Sequence, residues 1–190
     1  MVARRRLVCA GGLALALLLA PTPLPAPAGL PPPAAANSQP VLRGARGQYV
    51  ASVLVPVSLG RAWSVVTGYE ALAGQLPDIK ESRVVRRSGP RLELAQTYQA
   101  PYTFGLKIRA LLDVVEASPR QISYSLIQGE RLRALRGSWT LTPTAGGVLV
   151  THRIQMDAEV PAILRRSHEE LFEANLRQTM LAVRRLMTAN

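Results

Sequence analysis

The stretch PAILRRSHEELFEANLRQTMLAVRRLM, residues 161–187, decides the fold. No glycine interrupts it, and its only proline is Pro161, where a helix start tolerates one. Ile163, Leu164, Leu171, Phe172, Leu176, Met180, Val183 and Met187 recur at helical spacing and make one apolar stripe. Glu169, Glu170 and Glu173 lie early and Arg184 and Arg185 late, the sense that complements a helix dipole. Such a helix runs about 40 Å at 1.5 Å per residue. An apolar stripe of that length needs a broad apolar surface to lie on.

The chain before it supplies one. A Val-rich strand is predicted over Gln48–Pro56. Ser58 then caps a short helix through Leu59, Ala62, Trp63 and Val66 that ends at Gly68, and a second short helix is expected over Glu70–Leu76, stopped by Pro77. From Lys80 the period is two. Strands are expected over Lys80–Arg87, Arg91–Ala100, Phe104–Glu116, Gln121–Ile127, Arg133–Thr142 and Val148–Asp157. Ser88-Gly89-Pro90 and Gly146-Gly147 mark turns, and the short spacings favour an antiparallel meander. The expected architecture is α+β: a curved antiparallel sheet wrapped around one long C-terminal helix, with two short helices after the first strand.

The front of the chain reads differently. Arg4, Arg5 and Arg6 precede the uncharged apolar run Leu7–Ala20, prolines recur from Pro21 to Pro33, and Ala34-Ala35-Ala36 follows. A basic, an apolar and a small-residue region in this order are the pattern of an export signal, with cleavage expected before Asn37. The apolar run falls short of the roughly 20 residues of a spanning helix, and a retained membrane anchor is the alternative if it is uncleaved. Residues 37–47, with Pro40, Gly44 and Gly47, are expected to be a flexible lead-in to a single domain over 48–190. The expected compartment is an exported space: a periplasm, or a thylakoid lumen in a photosynthetic source.

With 190 residues, 23 Lys and Arg against 12 Asp and Glu, and a single cysteine, Cys9, the chain excludes a disulfide scaffold and a thiolate zinc site. No metal or cofactor is expected: two histidines without a ligand spacing do not make a metal centre, and no Gly-x-Ser-x-Gly elbow occurs.

At this point the chain resembles a known superfamily. Val55-Pro56-Val57-Ser58 leads into Arg61-Ala62-Trp63-Ser64-Val65-Val66 and Gly68-Tyr69-Glu70-Ala71-Leu72; then come Leu76-Pro77-Asp78-Ile79-Lys80-Glu81-Ser82, Gly129-Glu130 and Arg136-Gly137-Ser138-Trp139. In this order they resemble the START-like (SRPBCC) superfamily with the helix-grip fold, nearest its coenzyme-Q-binding and polyketide cyclase/dehydrase branch. That resemblance implies a binder or carrier of a hydrophobic molecule, a lipid, quinone or other isoprenoid, in a cavity between long helix and sheet. An aromatase/cyclase acting on a polyketide-like substrate is the enzymatic alternative; a structural module whose groove is filled by its own side chains is the third.

Alternation selects the residues expected at such a cavity: Phe104, Leu106, Ile108, Tyr124, Trp139, Val150 and His152 from the sheet, and Leu164, Leu171, Phe172, Asn175 and Met180 from the helix. His152 shares its face with Val150, Ile154 and Met156, where it could bond a ligand oxygen; a satisfied core histidine is the plainer reading. Trp63, Tyr69 and Trp139 read as packing anchors, Gly137 as a gap for a close approach, and His168 as part of a solvated face. Glu93 with Tyr98, or Tyr124 with His152, are the conceivable acid/base pairs. Arg83, Arg86 and Arg87 on one hairpin and Arg131, Arg133 and Arg136 on another suggest attraction to an anionic membrane surface, with an ordinary solvated face as the simpler account. No nucleic-acid motif accompanies them.

Overall fold

The computed structural model describes residues 39–99 and 107–189. Its strands are β1 (Val41–Ala45), β2 (Gln48–Val55), β3 (Ile79–Ser88), β4 (Arg91–Gln99), β5 (Lys107–Ala117), β6 (Gln121–Gly129), β7 (Leu132–Thr144) and β8 (Gly147–Ala158). They form one antiparallel sheet in the order β1-β2-β8-β7-β6-β5-β4-β3. Helix α1 (Leu59–Val66) follows β2, and α2 (Arg165–Thr188) follows β8 after a single 3-10 turn at Ala162–Leu164. This is the helix-grip arrangement expected.

Period-two patterning builds the inner face. Tyr49, Ala51, Val53 and Val55 of β2, Ala110, Leu112 and Val114 of β5, and Val148 and Val150 of β8 are all buried. Leu176, Met180, Val183 and Met187 of α2 complete the core, and nearer the start of the helix Phe172 meets Tyr49 of β2 with ring centroids 5.4 Å apart. The end of α2 is held by Arg61 of α1, whose guanidinium donates to the carbonyl oxygens of Met187 at 3.1 Å, Leu186 at 3.1 Å and Ala189 at 2.6 Å. These acceptors are orphan carbonyls of the last turn, and a cation there also complements the dipole. Ser58 caps α1 as expected, accepting from the Arg61 N–H at 3.2 Å.

Three sequence expectations need correction. Within the lead-in, Val41–Ala45 is a strand paired to β2, because Arg46 (φ 52°) and Gly47 (φ 76°) make a two-residue turn with both φ positive. That turn geometry is normally signalled by Asn-Gly or Asp-Gly, so Arg-Gly gave no warning. Glu70–Leu76 is a run of turns, not a helix: Gly74 sits at φ 73° and sends its N–H to the Ile79 carbonyl at 2.8 Å. A few residues ending in glycine do not repay helix nucleation. Finally, the first turn of α2 holds no acid; it opens on Arg165 and Arg166 with Leu164 at an uncapped N-cap position. The export segment lies outside the described residues, and no described helix is long and apolar enough to cross a membrane.

Candidate functional site

Between the sheet and α2 lies a cavity of about 190 Å³. Its floor comes from alternate residues of the strands, among them Leu94, Ile108, Leu112, Ile122, Leu135, Trp139, Ile154 and Met156. Its roof is His168, Phe172, Asn175, Leu176, Thr179 and Val183 of α2, and one end is closed by Val65, Val66, Tyr69, Leu72 and Leu76. The lining is mostly apolar, with polar groups at a few places, the usual make-up of a small-molecule site.

The first polar place is built by a missing side chain. Tyr124 on β6 stands opposite Gly137 on β7, and Trp139 on β7 stands opposite His152 on β8. A Cβ at position 137 would come within 2.4 Å of the Tyr124 Oη and 2.3 Å of the Arg153 carbonyl oxygen. With glycine there, the phenol lies across β7 and shares a 2.8 Å hydrogen bond with His152 Nε2. Trp139 stacks flat on the imidazole, with centroids 3.9 Å apart and planes 3° from parallel.

His152 is 6% exposed. Burial pulls its pKa down to about 3, so the ring is neutral at ordinary pH. Burial likewise pushes the Tyr124 phenol well up, reinforced by Tyr98 and Asp78. In the Nε2–H tautomer the phenol proton is free to donate to a ligand carbonyl; in the other tautomer a phenol lone pair is free to accept. The ring's Nδ1 is buried without a partner, a cost that marks the group as more than filling.

The second polar place is Asp78, which burial holds above the usual carboxylate range, while its own backbone N–H, an Asn175 side-chain hydrogen bond and Lys80 pull the other way. Tyr98 is raised by burial and then by Asp78, and its hydroxyl donates to Gln96 Oε1, whose amide donates to Ser82 Oγ at 3.2 Å. Asp78, Tyr98, Tyr124 and His152 thus border one cavity in states set by burial, two of them near enough for Asp78 to act on them electrostatically.

Of the residues expected at the cavity, Ile108, Tyr124, Trp139, His152, Phe172 and Asn175 line it. Val150 and Met180 are fully buried and pack in the solid core, where α1 and the C-terminal half of α2 close onto the sheet. Leu164 and Leu171 are exposed, Leu164 because the 3-10 turn takes it out of phase with the stripe. Phe104 and Leu106 lie outside the described residues. His168, expected on a solvated face, is half-buried and lines the cavity beside Phe172. Tyr69 is both anchor and lining: its hydroxyl donates to Glu116 at 2.8 Å. Asp78, Gln96 and Tyr98 were missed as lining residues, although Asp78 was in view as the one acid between Pro77 and Ile79. Glu93 and Tyr98 cannot pair: they sit on opposite faces of β4, and Glu93 binds Arg86.

The six arginines do not form one patch. Arg86 and Arg87 flank the β3–β4 turn and are paired with Glu93 and Glu116. Arg131 and Arg133 flank the β6–β7 turn at the opposite end of the strands, Arg133 lying 3.8 Å from Glu159. Arg136 is bonded to Gln155 at 2.7 and 2.9 Å. Arg83, Arg86 and Arg87 lie on β3, an outer strand of the sheet, where charge deters edge-to-edge pairing. Among the described residues no cluster of three potential metal ligands occurs.

Residues 46–188 match the sequence profile of the family described as polyketide cyclase / dehydrase and lipid transport. No curated protein sequence matches the chain. Among solved structures, the protein TTHA0849 from Thermus thermophilus is 18% identical with a TM-score of 0.64 over 73% of this chain and 94% of its own. The STAR-related lipid transfer protein of Xanthomonas axonopodis is 16% identical, TM-score 0.61, over 78% and 92%. The Zhui aromatase/cyclase from Streptomyces sp. R1128 is 12% identical, TM-score 0.57, over 77% and 92%. At these identities the structural likeness shows the fold.

Proposed function

The chain belongs to the polyketide cyclase/dehydrase and lipid transport family, and on that footing we propose that it binds a hydrophobic molecule bearing a ring oxygen, as a carrier and not a catalyst. The observation that carries this reading is the Tyr124–His152 pair, neutral, buried and stacked under Trp139 in the wall of an apolar cavity. A dry engineered cavity of about 150 Å³ holds benzene. A space of about 190 Å³ therefore suits one substituted ring, such as a quinone head, and not a whole lipid. An isoprenoid tail would leave past Phe172 and His168.

The test is a titration of the Trp63→Phe protein with a short-tailed benzoquinone, read by quenching of Trp139. Saturation at one per chain, weakened roughly tenfold by Tyr124→Phe through the loss of one buried hydrogen bond, is expected. An absence of saturable binding to quinones, phenols and lipids alike, with nothing released by solvent extraction of protein from its own host, would refute it and favour a self-filled groove.

A second reading, acid/base catalysis on a bound polyketide-like chain, draws on Asp78, a raised carboxyl beside Tyr98 and Tyr124. Turnover of a poly-β-ketone thioester, lost in Asp78→Asn, would establish it. The order of residues 4–36 supports export and action outside the cytosol; amino-terminal sequencing that finds Met1 instead of Asn37 would overturn cleavage.

A further inference from the structure

The elbow between β8 and α2 breaks three rules of water-soluble design at once. Every residue from Pro161 to Ser167 is exposed. Ile163 is 90% exposed and Leu164 45%, and two turns on Leu171 is 37% exposed. The helix that begins here has no side-chain cap and puts Arg165 and Arg166 at its positive dipole end. The other helix ends are satisfied, since α1 is capped and the far end of α2 is held by Arg61, and the other exposed large apolar residues, Val41, Val85, Val115 and Ile127, stand at 40–51% against 90% for Ile163. Violations gathered in one place are where function is to be sought.

The surroundings name the partner. The Glu159 N–H donates to the Arg131 carbonyl at 2.9 Å, which ties the elbow to the β6–β7 turn and brings Arg131 and Arg133 beside it. Exposed Ile163 and Leu164 run directly into Arg165, and Arg131 is joined to the same segment through Glu159, so apolar side chains and cations not taken up by Glu159 or Glu170 occur together at the elbow. Apolar side chains reach the acyl boundary of a bilayer while arginines meet lipid phosphates. Phosphates would also relieve the repulsion between Arg165 and the helix dipole, Arg166 being paired with Glu170 at 3.1 Å. From the elbow the helix leads inward: His168, Phe172 and Asn175 follow on the cavity wall.

We propose that this elbow docks the protein on an anionic lipid surface and places the cavity mouth against it, so that ligand passes between bilayer and cavity beside Phe172. This rests on the hydrophobic-binder reading and locates its exchange surface. It replaces the two-hairpin surface suggested by arginine spacing, since the β3–β4 turn lies at the far end of the sheet.

The test uses the full chain carrying Cys9→Ser and Ile163→Cys, labelled at position 163 with a polarity-sensitive nitrobenzoxadiazole dye. The expected result is a blue shift on vesicles containing phosphatidylglycerol, none on pure phosphatidylcholine, and none for a label at Ser88→Cys. Arg131→Ala with Arg165→Ala should weaken the transition by roughly 30-fold, about fivefold for each cation. A position-163 label that stays aqueous on anionic vesicles, even if the chain binds them elsewhere, overturns the proposal. So does an equal shift on neutral vesicles, or burial of the label in a dimer without lipid. Quinone titration of Ile163→Asp/Leu164→Asp in vesicle-free solution keeps the two readings apart. Normal titration with lost docking supports the elbow, docking retained by this variant overturns it, and an unmutated chain that docks on vesicles but takes up no quinone refutes the cavity reading alone.

Discussion

Acidification should destabilise this protein through His152 in particular, and the effect can be isolated. The ring is 6% exposed, and burial lowers its pKa from 6.5 to about 3. The unfolded chain therefore binds a proton between those values that the folded chain refuses. Stability from the neutral ring is fully present above pH 6.5 and declines as the pH falls toward 3. At about 1.4 kcal/mol per pH unit, moving from pH 7 to 4.5 removes about 2–3 kcal/mol. For a chain of this size that is a fall in Tm of roughly 5–10 °C. Carboxylates and His168, whose pKa burial also lowers, titrate in the same window, so the comparison is with His152→Gln, which keeps a polar partner for Tyr124 and removes the titration. Urea unfolding of both proteins at the two pH values, at constant ionic strength, should show the wild type losing about 2–3 kcal/mol more than the variant. Parallel pH profiles would refute the reasoning, as would ring-proton resonances of His152 titrating near pH 6.5 in the folded state.

Three further outcomes are expected. Gly137→Ala should cost about 2–5 kcal/mol, from overpacking against Tyr124 and the Arg153 carbonyl and from the broken hydrogen bond, seen as a lower urea midpoint; a wild-type midpoint would mean that Tyr124 does not lie where described. Tyr124→Phe should cost about 1–3 kcal/mol by leaving His152 Nε2 without its partner, and pairing it with His152→Leu should recover much of that in a double-mutant cycle. Arg61→Ala should destabilise by about 1–2 kcal/mol and raise amide exchange in the last turn of α2, while Arg86→Ala, exposed and paired only to Glu93, should change stability by less than about 1 kcal/mol; equal effects of the two would argue against the helix-end role.

How far the chain could be read in advance varied with the range of the interaction. Alternation along β8 placed His152 on the inner face with Ile154 and Met156, and the cavity indeed has all three in its wall. The same alternation also nominated Val150, which is core and not cavity, because a shared face does not tell where along a strand the covering helix lifts away. Asp78 sat in a quoted motif yet drew no chemistry, since nothing local to Pro77 and Ile79 indicates that Asn175, nearly a hundred residues later, will bond to it. The turn at Arg46-Gly47 escaped notice because arginine is a rare residue at a positive φ.

Periodicity is a property of one segment, since it follows from the geometry of successive residues on a single backbone. It was therefore enough to specify the long amphipathic helix, most of the strands, their inner faces and the need for each to cover the other. What decides the site is relations between segments: the register that sets Tyr124 opposite Gly137 and Trp139 opposite His152, and the gap that lets the phenol cross β7. The same holds for the point at which α2 comes to rest on the sheet, leaving Ile163 in water and Met180 in the core. Those relations are settled by packing across the whole sheet, where each pairing is chosen against all the others. No window of the chain contains that competition, so only the tertiary structure could decide it.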